Sequence, residues 1–122
     1  MGLKWNMVED VAVIKPEGDL VGGSETDQLE LQVRRLMDLN NLKLIIDLSR
    51  VSYLNSTALG VLVAVHTNYM KRQAKLALCG IDKRIKNVFV ITKLVMVFDI
   101  HTSLEDALKA MGVKEEKEQK KS

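Results

Sequence analysis

Apolar and polar residues alternate at the start of the chain. Leu3, Trp5 and Met7 are separated by polar neighbours, and a second apolar run, residues 11–14, ends before Pro16. Alternation of this kind is typical of a half-buried β-strand, and two such strands in succession form a hairpin. The first part of the chain therefore predicts an opening β-hairpin.

Four later segments combine apolar residues at helical spacing with a capping residue at the start, and they predict helices. In the first of them, Asp27 stands three residues after Ser24 and should complete a capping box. The second, residues 56–71, is apolar almost all round, so we expect it to be largely buried. The predicted N-cap residues are Ser24, Ser56, Asp82 and Ser103.

The remaining apolar runs predict strands that complete one sheet. Residues 43–48 are nearly unbroken Leu and Ile, the pattern of a strand covered on both faces, and residues 75–79 form another short strand. Together with the helix between them they predict a right-handed βαβ unit. We expect residues 49–55 to be a loop and a last short strand to lie within residues 93–100. The predicted fold is α/β, with a mixed sheet of four to five strands, about four helices, an opening hairpin and a central βαβ unit.

Composition limits the chain to one domain and argues against several classes of function. With 122 residues, 47% of them apolar, the chain can bury one core. We assign it to residues 1–112, with 113–122 as a charged, disordered tail. A net charge of +2 and 4% aromatic residues provide no field or stacking platform for nucleic acid. No apolar stretch reaches the ~18 residues of a membrane span, and the single cysteine leaves no internal disulfide, so we expect a cytoplasmic protein.

No group of residues predicts an enzyme, a metal site or a bound cofactor. Ser56 lacks the Gly-x-Ser-x-Gly pattern of a nucleophile elbow. His66 lies about 15 Å farther along the same helix and cannot reach it. His101, expected in a surface loop, has no partner at metal-ligand spacing. Cys79 ends an apolar strand and is expected to be a buried, unreactive thiol.

The segment from Asp47 to Gly60 carries the most information, because it joins a strand to a helix at the end of the sheet where functional loops are common. It contains the aromatic Tyr53 and the run Asn55-Ser56-Thr57-Ala58-Leu59-Gly60. A second motif, Gly18-Asp19-Leu20, follows the predicted hairpin. Over roughly residues 5–111, both motifs resemble the STAS domains, and within them the bacterial anti-sigma factor antagonists. Asn55 stands where that family usually has Asp.

The resemblance implies a regulator that exchanges protein partners. In the family, the serine that corresponds to Ser56 is phosphorylated by an anti-sigma factor, which is itself a serine kinase with a histidine-kinase-like ATPase fold. The unmodified form binds that kinase and frees the sigma factor, and a PP2C-type phosphatase is a second implied partner. We expect a monomer or weak dimer that is phosphorylated on Ser56. The residues expected to bind the partner are Asp19, Gly22, Gly23, Asn55, Ser56 and Thr57.

Two other interpretations of Ser56 remain open at this stage. The serine could be a plain helix cap, since Ser is common at that position. The chain could also be a STAS accessory or scaffold subunit of a transporter ATPase or a stress-signalling complex, in which the serine only contacts the partner. A phosphate at the start of a helix would face unpaired amides and the positive end of the helix dipole, so the fold should tolerate it.

Overall fold

The computed structural model describes residues 3–114, so most of the predicted tail at 113–122 lies outside the described residues. Within this range the strands are β1 (Leu3–Val8), β2 (Val11–Pro16), β3 (Gly18–Leu20), β4 (Lys43–Asp47), β5 (Val51–Leu54), β6 (Lys75–Cys79) and β7 (Asp99–His101). The helices are α1 (Ser24–Asp38), α2 (Ser56–Lys71), α3 (Lys83–Ile91) and α4 (Leu104–Ala110), with a 3₁₀ turn at Leu94–Met96. None of the helices in residues 3–114 has both the length and the apolar composition needed to span a bilayer.

Five of the strands form one mixed sheet in the order β1-β2-β4-β6-β7. β1 and β2 pair antiparallel across a tight turn in which Glu9 has a positive φ of 55°, and the remaining pairs are parallel. β4, α2 and β6 form the predicted βαβ unit. The predicted fold class, with its opening hairpin and mixed sheet, is therefore confirmed.

The central strands are buried on both faces, which explains their unbroken apolar runs. Along β4, Leu44 and Ile46 belong to the large core cluster that includes α1, α2 and α3 residues. Ile45, between them, faces the smaller cluster closed by Ala107 and Leu108 of α4. Helices thus cover the two faces of the sheet unequally, with the larger core on the α1 and α2 side.

A second, two-stranded sheet was not predicted. The expected loop at residues 49–55 is wrong in part, because Val51–Leu54 forms β5, which pairs in parallel with β3. β5 has only four residues, and Ser52 and Tyr53 in its middle are exposed, so no apolar period marks it. This small sheet brings the Gly18-Asp19-Leu20 motif beside the chain that enters α2.

Two of the four predicted helix caps are confirmed and two are wrong by one residue. Asp82 accepts a hydrogen bond from the Ile85 amide, and Ser103 accepts one from the Asp106 amide. The N-caps of α1 and α2 are instead Gly23 and Asn55, so Ser24 and Ser56 are the first helical residues.

Helix α2 is less buried than its composition suggested. Only the face toward the sheet is covered, by Ala58, Leu59, Leu62, Val65 and Tyr69. The last predicted strand is present as β7, but it starts only at Asp99, near the end of the predicted range 93–100. It extends to His101, which was expected in a loop. α2 therefore presents an exposed face from its first turn onward.

Cys79 is fully buried at the end of β6, as expected. Burial, reinforced by the nearby Asp47 carboxylate and weakly opposed by Lys15, raises the pKa of its thiol from 9.0 to about 12.

Because the thiolate is the reactive form, we predict that iodoacetamide at about pH 8 leaves the native protein unmodified and alkylates it in guanidinium. Because the thiol ionises less readily in the folded chain than in the unfolded chain, the free energy of unfolding should fall as the pH rises from 9.0 toward about 12. Mass spectrometry measures the adduct; rapid alkylation of the native chain would contradict this burial.

Candidate functional site

The predicted site residues converge where β3 and β5 end and where α1 and α2 begin. Parallel pairing of β3 with β5 sets Asp19 opposite Tyr53 and Leu20 opposite Leu54. The two chains then leave the small sheet side by side, one toward α1 and the other toward α2. We call residues 19–23 and 55–57 the rim; it contains all six residues predicted for phosphorylation or partner binding.

Asn55 holds the two halves of the rim together. Its backbone amide donates to the Leu20 carbonyl at 3.1 Å, which continues the β3–β5 pairing by one step. Its side chain then does two things: Nδ2 donates to the Val21 carbonyl at 3.1 Å, and Oδ1 accepts from the Ala58 amide at 3.0 Å. An aspartate at this position would keep the cap but could not donate to Val21. Asn55 therefore both caps α2 and joins it, by a hydrogen bond, to the segment at Val21.

The glycines of the rim allow the two segments to approach closely. Gly22 has a φ of 90°, and a Cβ at this position would lie 2.8 Å from Thr57 Cγ2. Its amide donates to the Thr26 hydroxyl at 2.9 Å, which fixes the turn into α1. Gly23 has open space around it and serves as the N-cap of α1. A side chain at position 22 would therefore push Thr57 away, whereas position 23 has room.

Ser56 is exposed at the first position of α2. No residue within 3–114 forms a hydrogen bond with its hydroxyl, because capping is done by Asn55. The plain-cap interpretation of Ser56 is therefore wrong. The hydroxyl stands free beside first-turn amides, which have no acceptors within the helix.

Two residues that shape this site, Val21 and Thr26, were not predicted, and a third, Tyr53, was noted only as part of a motif. Val21 supplies the carbonyl that receives Asn55, and Thr26 is a buried threonine that orders the turn. Tyr53 is 56% exposed beside Asp19, although an aromatic at this place had been noted in the motif. The role of Val21 depends on a contact with a residue 34 positions away, so the residue pattern cannot identify it. The contact of Thr26 with Gly22 is local, four residues apart, but no pattern in the sequence marks it.

The other chemically interesting residues do not join this site. His66 packs edge-on against Phe98 with ring centroids 5.0 Å apart, and burial lowers its pKa. His101 Nε2 lies 3.0 Å from Asp99 Oδ1 on β7. Within residues 3–114, no three His, Cys, Asp or Glu side chains are grouped so that they could hold a metal ion.

A model of the STAS domain family matches residues 5–107. The chain belongs to the STAS domain family. Its small β3–β5 sheet and the rim are thus parts of a STAS domain, and the resemblance seen in the sequence motifs is confirmed.

Several known STAS domains are similar to this one. BtrV of Bordetella bronchiseptica, which is assigned as an anti-sigma factor antagonist, is 26% identical over 110 residues, covering 90% of this chain and 94% of BtrV. A crystal structure from Thermotoga maritima with the same assignment has a TM-score of 0.83 at 20% identity, covering 88% of this chain and 92% of the other. The Bacillus cell fate determinant SpoIIAA in its phosphorylated form has a TM-score of 0.70 at 16% identity, covering 89% and 98%. At these identities the two structures support the fold alone.

The double role of Asn55 generates a prediction for this STAS domain. We expect Asn55→Ala to lower the free energy of unfolding by about 1–2 kcal/mol, because it removes the cap of α2 as well as the hydrogen bond to Val21. Asn55→Asp keeps the cap and should lower it less, but both variants should speed amide exchange at residues 21–23. Asn68→Ala, an exposed change in the same helix, is the control. Denaturant unfolding and hydrogen exchange measure these effects. Equal exchange at residues 21–23 in the wild type and Asn55→Asp would contradict a stabilising hydrogen bond from Asn55 to Val21.

Proposed function

We propose that this STAS domain is an anti-sigma factor antagonist whose binding to its partner is controlled by phosphorylation of Ser56. In its unmodified form it binds, through the rim, an anti-sigma factor that is a serine kinase with a histidine-kinase-like ATPase fold. Phosphorylation by that kinase dissociates the domain from it, and a PP2C-type phosphatase restores the form that binds. The free, exposed Ser56 hydroxyl at the head of α2 is the observation that carries the proposal.

The position of Ser56 suits a switch that acts on binding and leaves the fold intact. A phosphate adds about −1.5 to −2 charge at pH 7 and three acceptor oxygens. At the first turn of α2 this charge meets amide donors and the positive end of the helix dipole, which stabilise it by some tenths of a kcal/mol or more. No acidic residue lies in the first turn of α2. A partner docked on the rim, by contrast, would have to desolvate the phosphate.

The glycine one turn beyond Ser56 also supports a partner at this surface. Gly60 lies four residues after Ser56, so it shares the same helix face. It is exposed in the helix interior, and a Cβ built there meets no heavy atom within 4 Å apart from the backbone of its own helix. Glycine in a helix interior lowers stability by about 0.5–1 kcal/mol relative to alanine, with no internal contact here that requires it. Because glycine has no side chain, the backbone of another protein can approach this face of the helix closely.

Substitutions of Ser56 test the switch. We expect Ser56→Ala to bind the kinase but to incorporate no phosphate, and Ser56→Asp to bind at least about tenfold more weakly, since an unpaired charge enters the interface. Both should melt like the wild type, because the side chain makes no internal contact. The chain is incubated with the purified anti-sigma factor kinases of its organism and ATP, followed by mass spectrometry and calorimetry.

Ser24→Ala is the matched control for phosphorylation, because Ser24 is also an exposed serine at the first position of a helix. It should accept phosphate on Ser56 as the wild type does. Phosphate on Ser24, or equal binding by wild type, Ser56→Ala and Ser56→Asp, would contradict the proposed function.

Gly60→Ala should change stability and binding in opposite directions. We expect the free energy of unfolding to rise by about 0.5–1 kcal/mol through helix propensity. Binding to the kinase should weaken about tenfold, because an added methyl group in a close contact costs on the order of 1–3 kcal/mol. Thr67→Ala, an exposed change farther along α2, should leave binding unchanged. Unaltered binding by Gly60→Ala would show that the partner does not approach this face.

A further inference from the structure

A small cavity lies next to the rim, between β5 and α3. We call it the β5–α3 pocket; it has a volume of about 240 Å³ and is lined by Ser52, Tyr53, Leu54, Arg84, Ile85 and Val88. Pockets for small-molecule ligands usually measure about 300–1,000 Å³. The β5–α3 pocket is smaller, which suits one side chain of a protein partner better than a cofactor.

We propose that the β5–α3 pocket receives an apolar side chain of the anti-sigma factor, and that carboxylates beside that side chain pair with Arg84. The inference rests on the proposed function, because it assigns a second contact to the same partner. The pocket would anchor that partner, while Ser56 decides whether it stays bound.

The shape and lining of the pocket favour an apolar occupant. Leu54 and Ile85 are buried and form its floor, and Val88 is a half-buried wall that packs against the main core. Tyr53 is 56% exposed at its mouth. Tyrosines placed beside apolar pockets are enriched among the residues that dominate binding energy, because they bury large area with few rotatable bonds.

The charge around the pocket favours an acidic surface on the partner. Arg84 is the charged residue that lines the pocket, and the chain from Lys83 to Phe98, which follows Asp82, contains four basic residues and no Asp or Glu. Asp82 lies just before them, but one oxygen accepts from the Ile85 amide, a bond that is the main reason its pKa is lowered. Its other oxygen lies 3.3 Å from Arg84, whose side chain is 78% exposed. An ion pair this exposed is weak, so Arg84 remains able to pair with an incoming carboxylate.

The pocket is continuous with the rim. Tyr53 lines the pocket, pairs with Asp19 across the small sheet and stands two residues before Asn55. A partner that covers Ser56 therefore reaches the pocket along one unbroken surface. Partners of ordinary interface size bury about 800 Å² on each side, which is ample to span both features.

A charge reversal at Arg84 tests the inference without unfolding the domain. Arg84 lies in the first turn of α3, where a glutamate is favoured by the helix dipole, so Arg84→Glu should leave the melting temperature nearly unchanged. We expect it to weaken binding to the purified anti-sigma factor kinase about tenfold or more, and to reduce the salt dependence of binding. Lys109→Glu, an exposed reversal on α4 on the other side of the sheet, should bind like the wild type.

Tyr53→Ala tests the apolar contact separately. We expect a loss of affinity of about thirtyfold, the size that marks a dominant interface residue. Loss of affinity in both variants, with Lys109→Glu unaffected, supports the inference. Wild-type affinity in Arg84→Glu and Tyr53→Ala, together with release by Ser56→Asp, would overturn the inference and leave the proposed function standing. Equal binding by all Ser56 variants would overturn both.

Discussion

The site depends on one interaction, the parallel pairing of β3 with β5 and its extension by Asn55. Residues 18–22 and 51–55 are distant in sequence, and this pairing places them side by side. The Asn55 amide adds a hydrogen bond to Leu20, and its side chain adds a second to Val21. The same side chain caps α2, so the start of the helix and the turn before α1 are positioned together. Without this connection Ser56 would be a serine on an isolated helix end, with no second segment beside it.

This arrangement separates stability from recognition. The central strands of the five-stranded sheet are buried on both faces, and the core residues Leu44, Ile45 and Ile46 have no exposed surface. The rim, in contrast, lies at the ends of a two-stranded sheet, where hydroxyls and glycines face the surface. Charge added to Ser56 would therefore not enter the core, and under the proposed function its energetic consequence falls on the complex with a partner. This separation is what the proposed exchange of partners requires of the domain.

The sequence predicts those parts of the structure whose signal is local. The unbroken apolar run of β4 identifies a strand buried on both faces, and the Asp82 and Ser103 caps follow from side chains that bond three residues onward. β5 escaped prediction because it is short, has exposed residues in its middle and is defined only by pairing with β3. The caps of α1 and α2 were each displaced by one residue, since Ser24 and Ser56 follow residues that also cap well. Which residue caps is decided by the extended backbone at Gly23 and Asn55, and for Asn55 that geometry comes from the small sheet.

The central claim is that phosphate on Ser56 changes the surface of the domain and not its fold. The most direct test compares ¹H–¹⁵N spectra and thermal unfolding of the unmodified chain with those of the chain carrying phosphoserine at position 56. The account predicts that amide shifts change mainly at residues 19–23 and 53–60, while the amides of β2, β4 and β6 keep their shifts and the melting temperature does not fall. Widespread shifts across those buried strands, or a clear loss of thermal stability, would contradict it.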